Sequence, residues 1–367
     1  MNKKLRNAGI VALLLLWMAL TAFLWFSPPK ALSVAERRPL QQMPEFSLEN
    51  LVNGSFMGKF EEYTLDQFPL RDGFRRLKSI FSYNVLQQQD NNGIYVQDGY
   101  GGKLEYPLNS VSVSYAQKRF SHIYETYLKD TDSKIYLCVV PDKGYYLAED
   151  NGYPAMDYEK LFADMSAGMP WAQPVDVTQT LEITDYYRTD THWRQEKLVK
   201  VAQRLCDAMG VTPPKEADFT QTLVTQDFYG VYYGQAALPM ESEPLYIMES
   251  QLLSACRVYN HETGKYGHIY DMEKLAGLDP YDVYLSGPQA LLTIENPNAT
   301  TEKELIVFRD SFGSALTPLL VQGYQRVTLV DTRYIHPTLL SQQLTFDGQD
   351  VLFLYSTLIL NNSASLK

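Results

Sequence analysis

The sequence predicts an α/β domain behind an apolar N-terminal segment, and three observations carry that reading. KIYLCVVP (134–141), ELIVF (304–308), RVTLV (326–330) and DVLFLY (350–355) are near-continuous apolar runs of strand length. Helical spacing appears between such runs, as in Leu198, Val201, Ala202, Leu205 and Met209, a stripe closed by Gly210. The two patterns alternate, with SALTPLLVQGY lying between ELIVF and RVTLV. Strands apolar on both faces and separated by helices suit a mostly parallel sheet flanked by helices. A chain of 367 residues with 45% hydrophobic and 20% charged residues suffices for a full core.

Taken in order, MNKKLR (1–6) places Lys3, Lys4 and Arg6 before residues 7–29, which carry no charge. At about 1.5 Å per residue, roughly 20 apolar residues cross a hydrocarbon core. The basic start predicts a cytoplasmic tail, a transmembrane anchor over 7–29 and everything later outside the cytoplasm. A cleaved signal peptide is the competing reading. It usually has a shorter apolar region ending in small residues, whereas this run continues through Phe23, Leu24, Trp25 and Phe26. Residues 30–90 read as a polar, proline-punctuated tether and an amphipathic helical region, with Phe74, Leu77, Phe81 and Val85 at helical spacing and Arg and Lys on the other side. The main domain is expected over 91–367. DYEKLFADM (157–165) reads as a helix within it, and the less regular 240–303 as an inserted subdomain or an antiparallel extension.

A net charge of -11 argues against a non-specific grip on nucleic acid, which needs clustered Lys and Arg. Cys138, Cys206 and Cys256 lack CxxC spacing, which excludes a thioredoxin-like motif and a cysteine zinc site. An exported chain has room for one disulfide and one free thiol, but the apolar settings of Cys138 and Cys206 favour buried thiols.

Two short stretches carry the chemistry: RTDTHW (188–193) and FRDSFG (308–313). ELIVF, RDSFG and SALTPLL read as strand, turn and helix, so Ser311 stands at the carboxyl end of a strand, where open α/β sheets collect functional groups. The setting follows the logic of a nucleophile elbow without being GxSxG, and the backbone N–H groups of such a turn suit an oxyanion. A serine hydroxyl needs a base. Of the five histidines, only His192 has a carboxylate two positions away in a segment that reads as extended, where i and i+2 share a side. Asp190 would orient the ring, and a helix starting near Trp193 would keep it neutral. Each motif also has a plainer reading: a structural histidine for DxH, a helix cap for Asp310 and Ser311, and core packing for Trp193.

With the blocks ERRPLQQMPEFSLENLVNGSF, DQFPLRDGFRRLK, NNGIYV, VPDKGYY, YYRTDTHW, DFYGVYYGQ, DPYDVYLSG and VFRDSFGSALTPLL followed by VTLVDTRY, the chain resembles the DHHW family of exported bacterial proteins. More distantly, it is similar to the SGNH-like O-acetyltransferases of alginate acetylation. The resemblance implies an SGNH-hydrolase-like domain with Asp190 and His192 from the DxH motif and Ser311 as nucleophile. The family's DHHW reads DTHW here, with Thr191 second, as in the alginate proteins. SGNH enzymes usually open their serine block GDS, whereas Arg309 precedes Asp310 here, and their oxyanion Gly and Asn have no clear match. Gly287 and Gln289 in LSGPQ, or Tyr233 and Gly234 in VYYGQ, are candidates for that role, and Arg188 and Lys143 for donor or acceptor binding.

The implied protein is a membrane-anchored, extracytoplasmic O-acetyltransferase that modifies an exported or cell-wall polysaccharide. It would need no metal or organic cofactor and would work with a membrane-bound O-acyltransferase that brings acetyl across the membrane. A carbohydrate esterase with the same triad, and a non-catalytic polysaccharide-binding or assembly protein, are the alternatives.

Overall fold

The computed structural model describes residues 3–367, so Met1 and Asn2 of the expected cytoplasmic tail lie outside the described residues. The chain divides into two units, Met1–Asn91 with Gly234–Pro239, and Asn92–Tyr233 with Met240–Lys367.

In the first unit, helix α1 (Lys3–Phe26) contains a stretch, Arg6–Phe26, of mean hydropathy 2.3, long and apolar enough to cross a membrane. A two-stranded ribbon follows, β1 (Leu32–Ser33) against β2 (Arg38–Pro39). Next come α2 (Leu48–Val52), capped by the Ser47 hydroxyl, α3 (Ser55–Asp66) and α4 (Arg71–Asn84). A charge cluster ties them to the ribbon. Arg38 donates to both oxygens of Asp66, at 2.8 and 2.6 Å, while Arg71 and Arg75 pair with Glu36 at 2.5 and 3.1 Å.

The second unit opens with a hairpin, β3 (Ile94–Gln97) and β4 (Tyr100–Lys103), and helix α5 (Ser110–Ile123). Then follow β5 (Ile135–Val140), α6 (Gly144–Leu147), α7 (Tyr158–Gly168), β6 (Gln173–Pro174) and α8 (Val199–Met209). β7 (Thr220–Phe228) and β8 (Glu243–Glu249) form a separate ribbon, with the short α9 (Val231–Ala236) between them in sequence. The chain continues through α10 (Gln251–Ala255), β9 (Arg257–Asn260), β10 (Lys265–Gly267), β11 (Leu291–Glu295), β12 (Glu304–Arg309), α11 (Phe312–Leu320), β13 (Arg326–Val330), β14 (Asp350–Ser356) and α12 (Thr357–Asn361).

The main sheet runs β10-β9-β11-β13-β12-β14-β5-β6. Its pairs from β13 through β6 are parallel, and those joining β10, β9, β11 and β13 are antiparallel. Within residues 240–303, therefore, β9 to β11 form the antiparallel extension, and β8 belongs to the ribbon.

Side chains alternate across the sheet as a two-residue period requires. Leu305, Val307, Leu352 and Leu354 face one layer with α8 and α11, whereas Ile306, Phe308, Val351 and Phe353 face the other with α5 and α7. This is the α/β class that the apolar runs predict, with both sheet faces covered. Gly210 ends α8 in the left-handed region, at φ 64°, where a glycine cap costs least. All three cysteines are free and buried, as the apolar settings of Cys138 and Cys206 suggest for those two, and burial raises the pKa of each thiol.

Candidate active site

The carboxyl ends of three neighbouring parallel strands, β12, β14 and β5, build the site. β12 ends at Arg309, Asp310 turns the chain, and Ser311 occupies the position just before α11, with φ -64° and ψ -22°. Asp310 holds the turn: one carboxylate oxygen accepts from Phe312 N (3.0 Å), the other from Ser356 N at the end of β14 (2.7 Å). The capping work thus falls to Asp310, and the Ser311 side chain makes no cap bond. The N–H groups of Phe312, Gly313 and Ser314 are committed to acceptors in the turn itself, so they are not the free oxyanion donors expected there.

The DTHW segment reaches this turn from a different direction. Tyr186 and Trp193 pair as an antiparallel bridge, and Tyr187 N donates to His192 O at 3.0 Å, so residues 187–192 form a closed bend. The segment is therefore not extended. Asp190 and His192 converge because the Asp190 carboxylate accepts from His192 N (3.1 Å), an Asx-type turn. Nor does a helix begin at Trp193; a single 3-10 turn covers Gln195–Lys197, and α8 starts at Val199.

The three residues come together. Ser311 Oγ lies 2.8 Å from His192 Nε2, and His192 Nδ1 lies 2.6 Å from Asp190 Oδ1. The second Asp190 oxygen accepts from Val231 N at 2.8 Å. With Asp190 on Nδ1, the hydrogen-bond pattern calls for a proton on Nδ1 and a lone pair on Nε2 facing the hydroxyl. Asp190 is fully buried and His192 is 7% exposed, so these contacts act with little screening.

Several residues invisible to motif reading fix this geometry. The Tyr281 ring stacks on the imidazole, with centroids 4.0 Å apart and planes 7° from parallel. Trp193, a core residue as expected, donates from Nε1 to Phe312 O at 3.0 Å, and Gln195 donates to Ala315 O at 2.9 Å, so the segment after His192 is bonded to α11. Thr189 is held by Glu243, whose carboxylate accepts from the backbone N–H groups of Arg188 and Thr189 and from the Thr189 hydroxyl at 2.8–3.0 Å.

The remaining candidates fall into two groups. Lys143 follows the end of β5, fully buried; its Nζ donates to Tyr187 O (2.8 Å) and Arg188 O (3.2 Å) and lies 4.8 Å from the centre of the Tyr232 ring. Burial pushes its ammonium down to about 7 against the opposing pull of Asp190, Glu243 and Asp142. It braces the DTHW bend through backbone carbonyls. Arg188 is exposed, its guanidinium 5.7 Å from the Tyr100 ring centre, and Tyr233 donates its N–H to Thr189 O at 3.2 Å. Gln289 commits its amide to Asn260 and Ser286, and Gly287, at φ 75°, packs against Asp282. Neither partner of Gln289 belongs to the triad.

Arg309, the departure from GDS, is fully buried. Its Nη1 lies 3.4 Å from Asp310 O and 3.6 Å from Asp331, its Nε and Nη2 have no partner, and burial lowers its pKa.

Fold and geometry together define a class, an α/β protein with a Ser-His-Asp array at the carboxyl edge of its parallel strands. Residues 179–330 match the family described as DHHW protein, in line with the resemblance read from the sequence. Two solved structures share the fold. A DHHW family protein from Eubacterium siraeum superposes with a TM-score of 0.61 at 21% identity, over 75% of this chain and 95% of that one. Bacillus cereus PatB1, in a structure with a sulfonyl adduct, gives 0.58 at 20% identity, over 73% and 95%. The O-acetyltransferase domain of Pseudomonas putida AlgJ is a weaker match, 0.46 at 14% identity, over 73% of this chain and 92% of that one. None of the curated proteins compared with the chain matches it.

Proposed function

We propose that the protein is a serine acyl-transfer enzyme that O-acetylates an exported or cell-wall polysaccharide. The observation that carries the chemistry is the unbroken line Ser311 Oγ, His192 Nε2, His192 Nδ1 and Asp190 Oδ1, at 2.8 and 2.6 Å. In the first half-reaction, Ser311 Oγ attacks the acetyl carbonyl and its proton moves to His192 Nε2. The donor's C–O or C–S bond breaks, and the leaving group takes that proton. In the second, a sugar hydroxyl attacks the acetyl-serine, loses its proton to His192, and Ser311 Oγ takes the proton back as its ester bond breaks. Asp190 stabilises the imidazolium in both.

Acceptor and partner rest on the resemblance in the sequence blocks. On that reading α1 anchors the chain, the triad works outside the cytoplasm, and a membrane-bound O-acyltransferase supplies acetyl.

Because PatB1, which shares the fold, has been captured with a sulfonyl adduct, phenylmethylsulfonyl fluoride is a suitable probe. The expected result is one adduct by intact mass on the full chain and none on Ser311→Ala. With an activated acetyl ester as donor, an oligosaccharide acceptor should gain acetyl. Hydrolysis alone, whatever glycan is offered, would mark an esterase. Unchanged surface acetylation in cells carrying a folded Ser311→Ala protein would end the catalytic reading.

A further inference from the structure

Helix α4 is amphipathic in the inverted sense. Its buried positions are Ser79 and Ser82, and the apolar stripe sits on the outside, with Phe74 46%, Leu77 62%, Phe81 51% and the following Val85 62% exposed. The inward face is held by polar contacts. The Ser79 hydroxyl lies 3.0 Å from Ala236 O, Asn91 Nδ2 donates to Ser79 Oγ (2.7 Å) and Ala236 O (2.8 Å), and Arg75 donates to Gly234 O at 2.9 Å while pairing with Glu36. A helix of a water-soluble surface places these faces the other way round.

The exposed stripe is continuous with the surface of α1. Trp17 of α1 meets Phe68 (6.3 Å between centroids), Phe68 meets Phe74 of α4 (5.5 Å), and Trp25 meets Phe60 of α3 (6.5 Å). Trp17 and Trp25 are separated by about 12 Å of helix, at about 1.5 Å per residue. The aromatic contacts of α3 and α4 thus follow the length of a helix whose own side chains suit lipid.

We propose that this face of α4 is inserted into the lipid of the bilayer that α1 enters, so that the chain is held by α1 and by a second apolar helix face beside it. The proposal requires α1 to enter a bilayer and is independent of the triad's chemistry. Lipid, rather than a second copy or another protein, is the occupant because the stripe adjoins α1, whose exposed side chains suit hydrocarbon.

The test uses the full chain in vesicles of phosphatidylcholine and phosphatidylglycerol, with a nitroxide on Phe74→Cys, Leu77→Cys or Phe81→Cys in turn. The native cysteines are buried, and the unsubstituted chain reports their background labelling. Collisions with oxygen and with a water-soluble nickel chelate are compared with those at exposed Lys118→Cys. Insertion predicts an oxygen-to-nickel ratio several-fold higher at all three α4 positions. Nickel collisions equal to those at Lys118→Cys would place the face in water, and low collisions with both reagents would show cover by protein; either overturns the proposal. Sulfonylation of Ser311 is read separately, so this idea and the catalytic one fail independently.

Discussion

The Tyr281 ring lies parallel to the His192 imidazole, 4.0 Å from centroid to centroid, while its hydroxyl is buried without a partner. The aromatic face and the hydroxyl are therefore separable. Tyr281→Phe keeps the stack and removes an unpaired polar group, so it should retain the sulfonylation rate and gain on the order of 1 kcal/mol in stability. Tyr281→Ala leaves a cavity against the base and should cost about 3–5 kcal/mol and slow the reaction. Urea unfolding and the sulfonylation rate check both. A slow Tyr281→Phe protein would show that the hydroxyl, not the ring, matters.

Asp190 accepts from His192 Nδ1, His192 N and Val231 N. Asp190→Asn turns one acceptor oxygen into a donor, which must then face an N–H. Neutralising the orienting carboxylate of a serine triad lowers turnover by about 10⁴-fold, and a drop of that order is expected in acetyl-transfer turnover. One buried N–H left without an acceptor should also cost about 1–3 kcal/mol. A variant as active as the parent would leave His192 without need of its carboxylate.

These residues differ in how legible they were. The strands could be read because each is apolar on both faces, and RVTLV became β13 residue for residue. Ser311 could be read because the strand-to-helix transition leaves a recognisable sequence trace. Asp190 and His192 meet through an Asx-type turn, not through the extended backbone that the DxH spacing suggests. Tyr281 lies in a 3-10 turn, Pro280–Val283, among many tyrosines, and nothing local marks the one that meets a histidine. Glu243 braces Thr189 from β8, a long-range pairing with no periodic signal. The spacing that identified α4 as amphipathic left open which face points outward, because periodicity is symmetric to that choice.

Gly230 makes the closest approach around the triad. A Cβ on it would overlap the Cα and backbone N of Asp190, atoms that cannot rotate away, and its own N–H donates to the Thr189 hydroxyl at 2.8 Å. Gly230→Ala should cost about 1–3 kcal/mol as an overpacked site and should misplace Asp190, lowering sulfonylation more than stability alone explains. Gly267→Ala, where the nearest atom is 4.0 Å away, is the matched control and should be neutral. Equal behaviour of the two variants in melting and labelling would remove Gly230 from the support of the site.

Lys143 predicts a pH dependence of stability. Burial holds its folded-state pKa down to about 7, while the unfolded chain keeps the proton up to the ordinary lysine value of 10.5. Between those values the unfolded state binds more protons, so stability should rise with pH, by about 1.4 kcal/mol per unit where the difference is a full proton. Below the folded value both states are protonated and the destabilising contribution of a buried ammonium is fully present. Lys143→Met removes this contribution together with the bonds to Tyr187 O and Arg188 O, whose loss acts equally at every pH. The difference in unfolding free energy between parent and variant should therefore change across pH 7 to 10 in the parent's favour. Parallel profiles over that range would mean that Lys143 keeps its charge in the folded protein, held by Asp190, Glu243 and Asp142 against the cost of burial.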